Sequence, residues 1–209
     1  CVLMFVGGLS WKIIGGVLAV AVPSVLVFLS IVMQEGQTLI KDYQRDRIMA
    51  FFDPATYADT EAYQQLNSVI AIGSGQLWGK GLNNTDIASV KNGNFLPESQ
   101  TDFIFAVIGE ELGFVGSAVV ILLLILIAMR CVSIARVAKD TAGMVIAAGM
   151  GSLIGIQGFM NIAVATMMMP NTGLPLPFVS YGLSSLVSMY IGIGFVLNVG
   201  LQRKNLYNL

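Results

Sequence analysis

Long uncharged stretches alternate with short charged ones along this chain. Positions 13–34 hold no charged residue and are almost all apolar. That is enough for one helix across a bilayer, which takes about 20 residues. Positions 35–102 contrast sharply, carrying nine of the twelve acids and five of the eleven bases. This is a long polar connection. Leu112–Met129 is charge-free again, and a helix is expected over 103–129 with Asp102 to Glu111 as its polar approach. Arg130–Asp140 reads as a short basic loop, and the 62 residues from Thr141 to Gln202 then carry no charge. That length suits two spans, 142–169 and 183–201. A turn is marked between them by Pro170-Asn171-Thr172-Gly173 and by Pro175 and Pro177. Pro23 is a candidate kink in the first span.

The pattern predicts an all-α polytopic membrane protein. Four full spans fall within one membrane domain over 1–209, and the apolar run at 1–8 reads as the end of a preceding span. Basic residues in short flanks orient such a protein. Lys12, the group Arg130, Arg136 and Lys139, and the pair Arg203 and Lys204 all fall on one side when there are four spans. That side is read as cytoplasmic, so the 35–102 loop and the 170–182 turn face outside. Within the loop, 39–52 mixes apolar and charged residues at helical spacing and suits an interfacial helix. Tyr63–Ile72 suggests a second helix, ended by Gly73-Ser74-Gly75. The glycines from Gly73 to Gly81 read as a turn, since no strand precedes them as a phosphate loop requires.

Composition agrees with the pattern. The 209 residues are 56% hydrophobic and 11% charged, against about 25% charged in soluble domains. Net charge is −1, which does not suggest a nucleic-acid partner. There is no histidine and there are two cysteines. A zinc site of the usual kind, a His-based relay and a disulfide framework are all disfavoured. No metal ligand set is evident.

Asp102 is the leading candidate for chemistry, because it stands where a charged loop enters a membrane helix. On a straight helix, Ala106, Gly109, Gly113 and Gly116 lie within about 40° of it. This predicts a seam of small residues running down the membrane, open to another helix or a lipid chain. Partial burial there would raise the carboxyl pKa toward that of a general base. The alternative is an N-cap. Glu110 and Glu111 lie two turns deeper, where carboxylates are costly, and pairing with a base on another helix is one explanation. Glu98 either lines the same pocket or is solvated. Gln157 and Asn161, spaced i, i+4, suit interhelical hydrogen bonding. Ser180 and Tyr181 lie in the turn, the natural second wall of the site.

Four stretches, in order, resemble one known family. LPESQTDFIFAVIGEELG, from Leu96 to Gly113, resembles the LPExxTDFIFAVIGEExG signature of the SEDS proteins (RodA, FtsW and SpoVE). Tyr43, Arg47, Ile48, Phe51, Asp53 and Pro54 resemble the family's loop helix. AIGSG at Ala71–Gly75 with GKGL at Gly79–Leu82 resembles its AIGSGxxxGKGL segment. Gly173–Gly182 resembles its GxPLPFxSYGGSS turn. Two departures are visible: Leu183 replaces the second glycine of that turn, which would narrow it, and Gln44 replaces an arginine of the loop helix.

The resemblance implies the C-terminal part of a ten-span fold in the bacterial cytoplasmic (inner) membrane, with the active site facing outside. It implies glycan-strand polymerisation from lipid II, with a class B penicillin-binding protein, a transpeptidase, as partner. Asp102 matches the family's proposed catalytic residue and would be the general base. Glu98, Gln100, Thr101, Lys80, Arg47, Glu110, Ser180 and Tyr181 are the candidate substrate contacts. The lipid pyrophosphate needs positive charge, from Lys80, Arg45 and Arg47 or from a divalent cation such as Mg or Mn. The alternatives are a lipid-linked sugar flippase or transporter and a non-catalytic scaffold for the transpeptidase. A transporter usually binds near the midplane on broken helices. The uncharged 141–202 stretch and the acids gathered toward one end favour surface chemistry.

Overall fold

The computed structural model describes residues 7–8, 10–32, 41–60, 62–82 and 99–202. Six helices account for most of them: α1 (Trp11–Val32), α2 (Asp42–Phe52), α3 (Tyr63–Ser74), α4 (Ile104–Arg136), α5 (Thr141–Ala165) and α6 (Leu183–Leu201). Four of these, α1, α4, α5 and α6, are long and apolar enough to cross a membrane. Glu98 lies outside the described residues.

The spans form because each contains a long apolar run whose backbone must bond to itself where it meets hydrocarbon. Pro23 lies within α1 without ending it. The expected basic loop at 130–140 is shorter than predicted: α4 continues through Arg130 to Arg136, leaving only 137–140 as the turn. Nothing between 130 and 136 breaks a helix, and a base in its last turn meets the negative end of the helix dipole. Asp140 then caps α5, its Oδ1 accepting from the Gly143 N–H at 2.9 Å.

The core lies between α4 and α5, joined by α3 and α6. Phe103, Phe105, Ala106, Leu124, Ala147, Ile154, Val164 and Leu176 form its buried centre. Small residues let α4 and α5 approach closely: Gly151 meets the Ala128 carbonyl and Cys131, and Gly158 meets Leu124. Helix α3 lies on the end of α5. Gln65 Nε2 donates to the Val164 and Met169 carbonyls at 3.0 and 2.8 Å, and Ser68 Oγ donates to the Ala165 carbonyl at 2.7 Å. The Val164 and Ala165 carbonyls lie in the last turn of α5, where the helix supplies no further donors, and Met169 lies beyond it. Gln65→Leu leaves the Met169 carbonyl without this donor, at about 1–3 kcal/mol, while the Val164 carbonyl keeps the Met167 N–H at 3.1 Å. The expected result is a lower thermal midpoint for the detergent-solubilised full-length protein. An unchanged midpoint would show that α3 is held by its apolar contacts alone.

The largest departure from the sequence reading lies inside α4. Gly113 has φ 66° and ψ −163°, which breaks the helix. This region is essentially restricted to glycine. A continuous helix would bond the Phe114 and Val115 amides to the Glu110 and Glu111 carbonyls. Those two bonds are replaced by four bonds to the preceding loop. Lys80 N–H donates to the Glu110 carbonyl at 2.9 Å, and Gly81 N–H donates to the Glu111 carbonyl at 3.0 Å. Phe114 N–H donates to the Gln76 carbonyl at 2.8 Å, and Val115 N–H donates to the Leu77 carbonyl at 3.2 Å. The 76–81 loop is thus inserted into the break. Glycines permit the approach: a Cβ at Gly75 would overlap the Gly109 carbonyl, and one at Gly79 would overlap the Glu111 carbonyl.

The break redirects the first arm of α4, residues 104–112. Leu124 lies against Gly158 of α5, and the Asp102 carbonyl is bonded to Asn161 of α5. On a straight helix Asp102 and Leu124 would stand about 33 Å apart, yet their α5 partners differ by a rise of about 4.5 Å. The arm therefore folds back toward the end of α5. The predicted straight seam below Asp102 does not exist. Gly109 packs on Ile72 of α3, and Gly113 faces Leu77 and Gly79 of the loop. Gly116 meets the side chain of Leu112, so these small residues do not form one continuous groove.

Candidate functional site

Asp102 lies in a turn ahead of α4. The cap position of α4 is Phe103, and no side chain bonds there, so the N-cap reading of Asp102 is corrected. The helix begins at Ile104, one residue too late for Asp102 to occupy that position. The half-buried Asp102 instead belongs to a short segment laid against the 173–181 turn.

Side chains of α5 and of the turn itself hold the two segments together. Asn161, only 1% exposed, uses its Nδ2 twice. It donates to the Asp102 carbonyl and to the Leu174 carbonyl, each at 2.7 Å. One turn of α5 away, Gln157 Nε2 donates to the Pro175 carbonyl at 2.9 Å. These polar residues bind turn backbone, which corrects their expected role as glue between helices. Ser180 is buried, and its hydroxyl is engaged on both sides. It accepts from the Leu176 N–H at 2.6 Å and donates to the Thr101 carbonyl at 2.5 Å. Tyr181 N–H donates to the Gln100 carbonyl at 2.8 Å, while its ring stands exposed. Gln100, Thr101, Asp102, Ser180 and Tyr181 thus converge, with Ser180 acting through its bonds to the backbone.

The Asp102 carboxylate faces Gly173. A Cβ at that glycine would stand 3.3 Å from Asp102 Oδ2, so the missing side chain leaves the carboxylate its place. Asn161 is 20 residues beyond Thr141, a rise of about 30 Å, which matches the hydrocarbon thickness of a bilayer. Asp102 therefore sits one membrane thickness from the 137–140 turn that follows Arg136. Asn161→Leu removes both 2.7 Å bonds and leaves the Asp102 and Leu174 carbonyls without that donor. The expected thermal destabilisation is about 2–6 kcal/mol from two unsatisfied groups. It would be read by thermal unfolding of the purified full-length protein, and a shift no larger than that of an exposed α5 substitution such as Ile156→Ala would refute it.

A second polar group forms at the break. Lys80 Nζ lies 2.8 Å from Glu110 Oε1, with the lysine side chain 29% exposed and the glutamate 3%. The base that pairs with Glu110 thus comes from the 76–81 loop of this chain, not from another helix as expected. Arg47 is half-buried on α2, its guanidinium carbon 6.0 Å from the Tyr43 ring centroid. Among the described residues, no three His, Cys, Asp or Glu side chains gather as a metal site.

With this geometry in view, comparison with known proteins is decisive about ancestry. The family model described as cell cycle protein, FtsW/RodA/SpoVE, matches residues 1–205. This chain belongs to that family. Peptidoglycan glycosyltransferase MrdB of Escherichia coli K12 is 41% identical over 203 residues, covering 97% of this chain and 52% of the relative. The probable peptidoglycan glycosyltransferase FtsW of Nitrosomonas europaea is 38% identical over 205 residues, covering 97% and 50%. A solved structure concerned with the structural coordination of polymerization and crosslinking by a peptidoglycan synthase complex contains a similar chain. It matches with a TM-score of 0.68 at 30% identity, covering 98% of this chain and 53% of that one. The chain spans about half the length of the curated relatives it matches.

One family departure can now be located. Leu183 was expected to narrow the turn, but it opens α6 and is 82% exposed, so it takes no space from the Asp102 wall. The contributions that sequence reasoning missed are those of Gly113, Gly173, Gln65 and Ser68. Gly113 carries one signal in retrospect: it follows two carboxylates that an apolar span does not accommodate, so a break there lets them meet a loop.

Proposed function

We propose that the whole protein, of which this chain is about half, polymerises peptidoglycan glycan strands from lipid II at the outer face of the cytoplasmic membrane. A sugar hydroxyl of one substrate attacks the anomeric carbon of the other. The new glycosidic bond forms as the bond to the lipid pyrophosphate breaks. Asp102 takes the hydroxyl proton, and the pyrophosphate leaves with the bonding pair on its lipid. The observation that carries this reading is the setting of Asp102: a half-buried carboxylate facing Gly173, about one hydrocarbon thickness from the 137–140 turn. A lipid-anchored pyrophosphate would lie at that level. The names of the relatives support the same chemistry.

Arg47 and Arg45 on α2 are the proposed charges for the pyrophosphate, together with Glu98, Gln100 and Thr101 around the sugar. A divalent cation, Mg or Mn, would add positive charge there when bound. A class B penicillin-binding protein is the proposed partner, in keeping with the synthase complex that contains the similar chain.

The test is polymer formation by the purified full-length protein with its transpeptidase in lipid II-containing vesicles. Glycan strands that persist when the transpeptidase's own active site is blocked are the expected product. An intact complex that moves lipid II across the bilayer without making polymer would establish the flippase reading. One that does neither would establish the scaffold.

A further inference from the structure

We propose that the Lys80–Glu110 ion pair is a positioning pair for Asp102: it locks the 76–81 loop into the Gly113 break and so fixes the folded-back arm at whose end Asp102 stands. This rests on the glycosyltransferase reading and adds to it a second, remote determinant of rate. Lys80 and Glu110 are joined twice. Their side chains meet at 2.8 Å, and the Lys80 N–H donates to the Glu110 carbonyl at 2.9 Å. Glu110 stands two residues before the end of the arm, and Gly113 makes the break. The arm between Ile104 and Leu112 therefore has a fixed point at each end. One is Asn161 and Ser180 holding residues 101–102, and the other is the loop holding residues 110–111. A rigid helical arm transmits a shift at one end to the other.

The alternative role for Lys80 is direct contact with the substrate pyrophosphate. The two roles differ in what Glu110 does. A positioning pair needs both members. A phosphate-binding lysine would be freed, not impaired, by loss of its carboxylate partner. With Glu110 3% exposed, loss of one partner is also tolerated less well than loss of both, because a single removal strands the other charge. The double variant thus separates positioning from simple folding failure.

The experiment uses the full-length protein in complex with its transpeptidase, comparing wild type, Lys80→Met, Glu110→Gln, the double variant and the reversed pair Lys80→Glu with Glu110→Lys. Both single variants are expected to lose up to about 100-fold in kcat, as a displacement of the order of 1 Å costs. KM for lipid II stays within about twofold, since an interaction made away from the substrate does not enter ground-state binding. The double variant is expected to be no worse than either single, and the reversed pair to recover much of the rate. A raised KM for Lys80→Met with normal turnover by Glu110→Gln would overturn the proposal in favour of phosphate contact. Spin labels at Leu112 of the arm and Ile156 of α5, both exposed, supply a readout independent of catalysis. Their distance distribution should broaden in the single variants and narrow again in the reversed pair. If the wild type makes no polymer, the glycosyltransferase reading fails, and this distribution alone decides whether the pair positions the arm. An unchanged distribution in Lys80→Met overturns the proposal in either case.

Discussion

Asp102→Asn in the full-length protein is expected to reduce glycan polymerisation by about 10²–10⁴-fold, the contribution of a positioned general base, while leaving the protein folded and bound to its partner. The expectation of normal folding comes from the structure. Asp102 is not the cap of α4, and its main-chain carbonyl, not its carboxylate, receives the Asn161 bond. The substitution keeps the backbone and the side-chain shape. Its asparagine still fits beside Gly173, so what changes is the ability to accept a proton. Strand length on gels from labelled lipid II gives the rate, and thermal unfolding of the same sample gives the fold. Full activity in a folded Asp102→Asn would remove Asp102 from the chemistry and direct the search to Glu98.

Gly113→Ala should do the opposite, damaging structure first. The backbone at Gly113, φ 66° and ψ −163°, is one that a residue with a Cβ occupies only at a cost of about 1–3 kcal/mol. The added Cβ would also overlap the Gly79 amide and approach the Leu77 carbonyl. Both neighbours are backbone and cannot swing away. Two outcomes satisfy the sterics, and each abolishes the site. Either the loop leaves the break, or α4 straightens and carries Asp102 away from Asn161. The measurable result is a loss of several degrees in thermal midpoint together with loss of polymerase activity. Proteolysis should increase within 75–82, where the loop would no longer be bonded to the arm. A Gly113→Ala protein with wild-type stability and activity would mean that the break is dispensable. Control substitution at Gly155, where a Cβ meets only Ala128 at 4.0 Å, should be tolerated.

Much of the molecule was legible before any coordinates, and the reason is the membrane. Hydrocarbon offers no hydrogen-bond partners, so a backbone exposed to lipid must bond to itself as an apolar helix, and such runs stand out in any sequence. The apolar helices were therefore visible in outline: α6 has the bounds read from the sequence, α5 ends four residues sooner, and α4 runs seven residues further than 129. Charge rarity did the same for Asp102, which stood out because few carboxylates approach a span in this chain.

What the sequence determined by itself was the all-α class and the number of candidate spans, and it singled out Asp102 as a candidate. Only the tertiary structure decided where that carboxylate points and what holds it. Helical periodicity assumed that α4 ran straight and placed Ala106, Gly109, Gly113 and Gly116 on one stripe. The stripe fails because a loop some thirty residues earlier supplies hydrogen bonds that compete with the helix's own. The same loop brings Lys80 to Glu110, a pairing that no spacing rule relates. Asn161 looked like a donor to another helix, and it serves two backbone carbonyls outside any helix, Asp102 ahead of α4 and Leu174 in the turn after its own helix. Each of these is a partnership between distant segments, and glycine permits a left-handed bend without requiring one. Local propensity specifies what a backbone can do, while the bonds offered by its neighbours in space select which of those conformations it adopts.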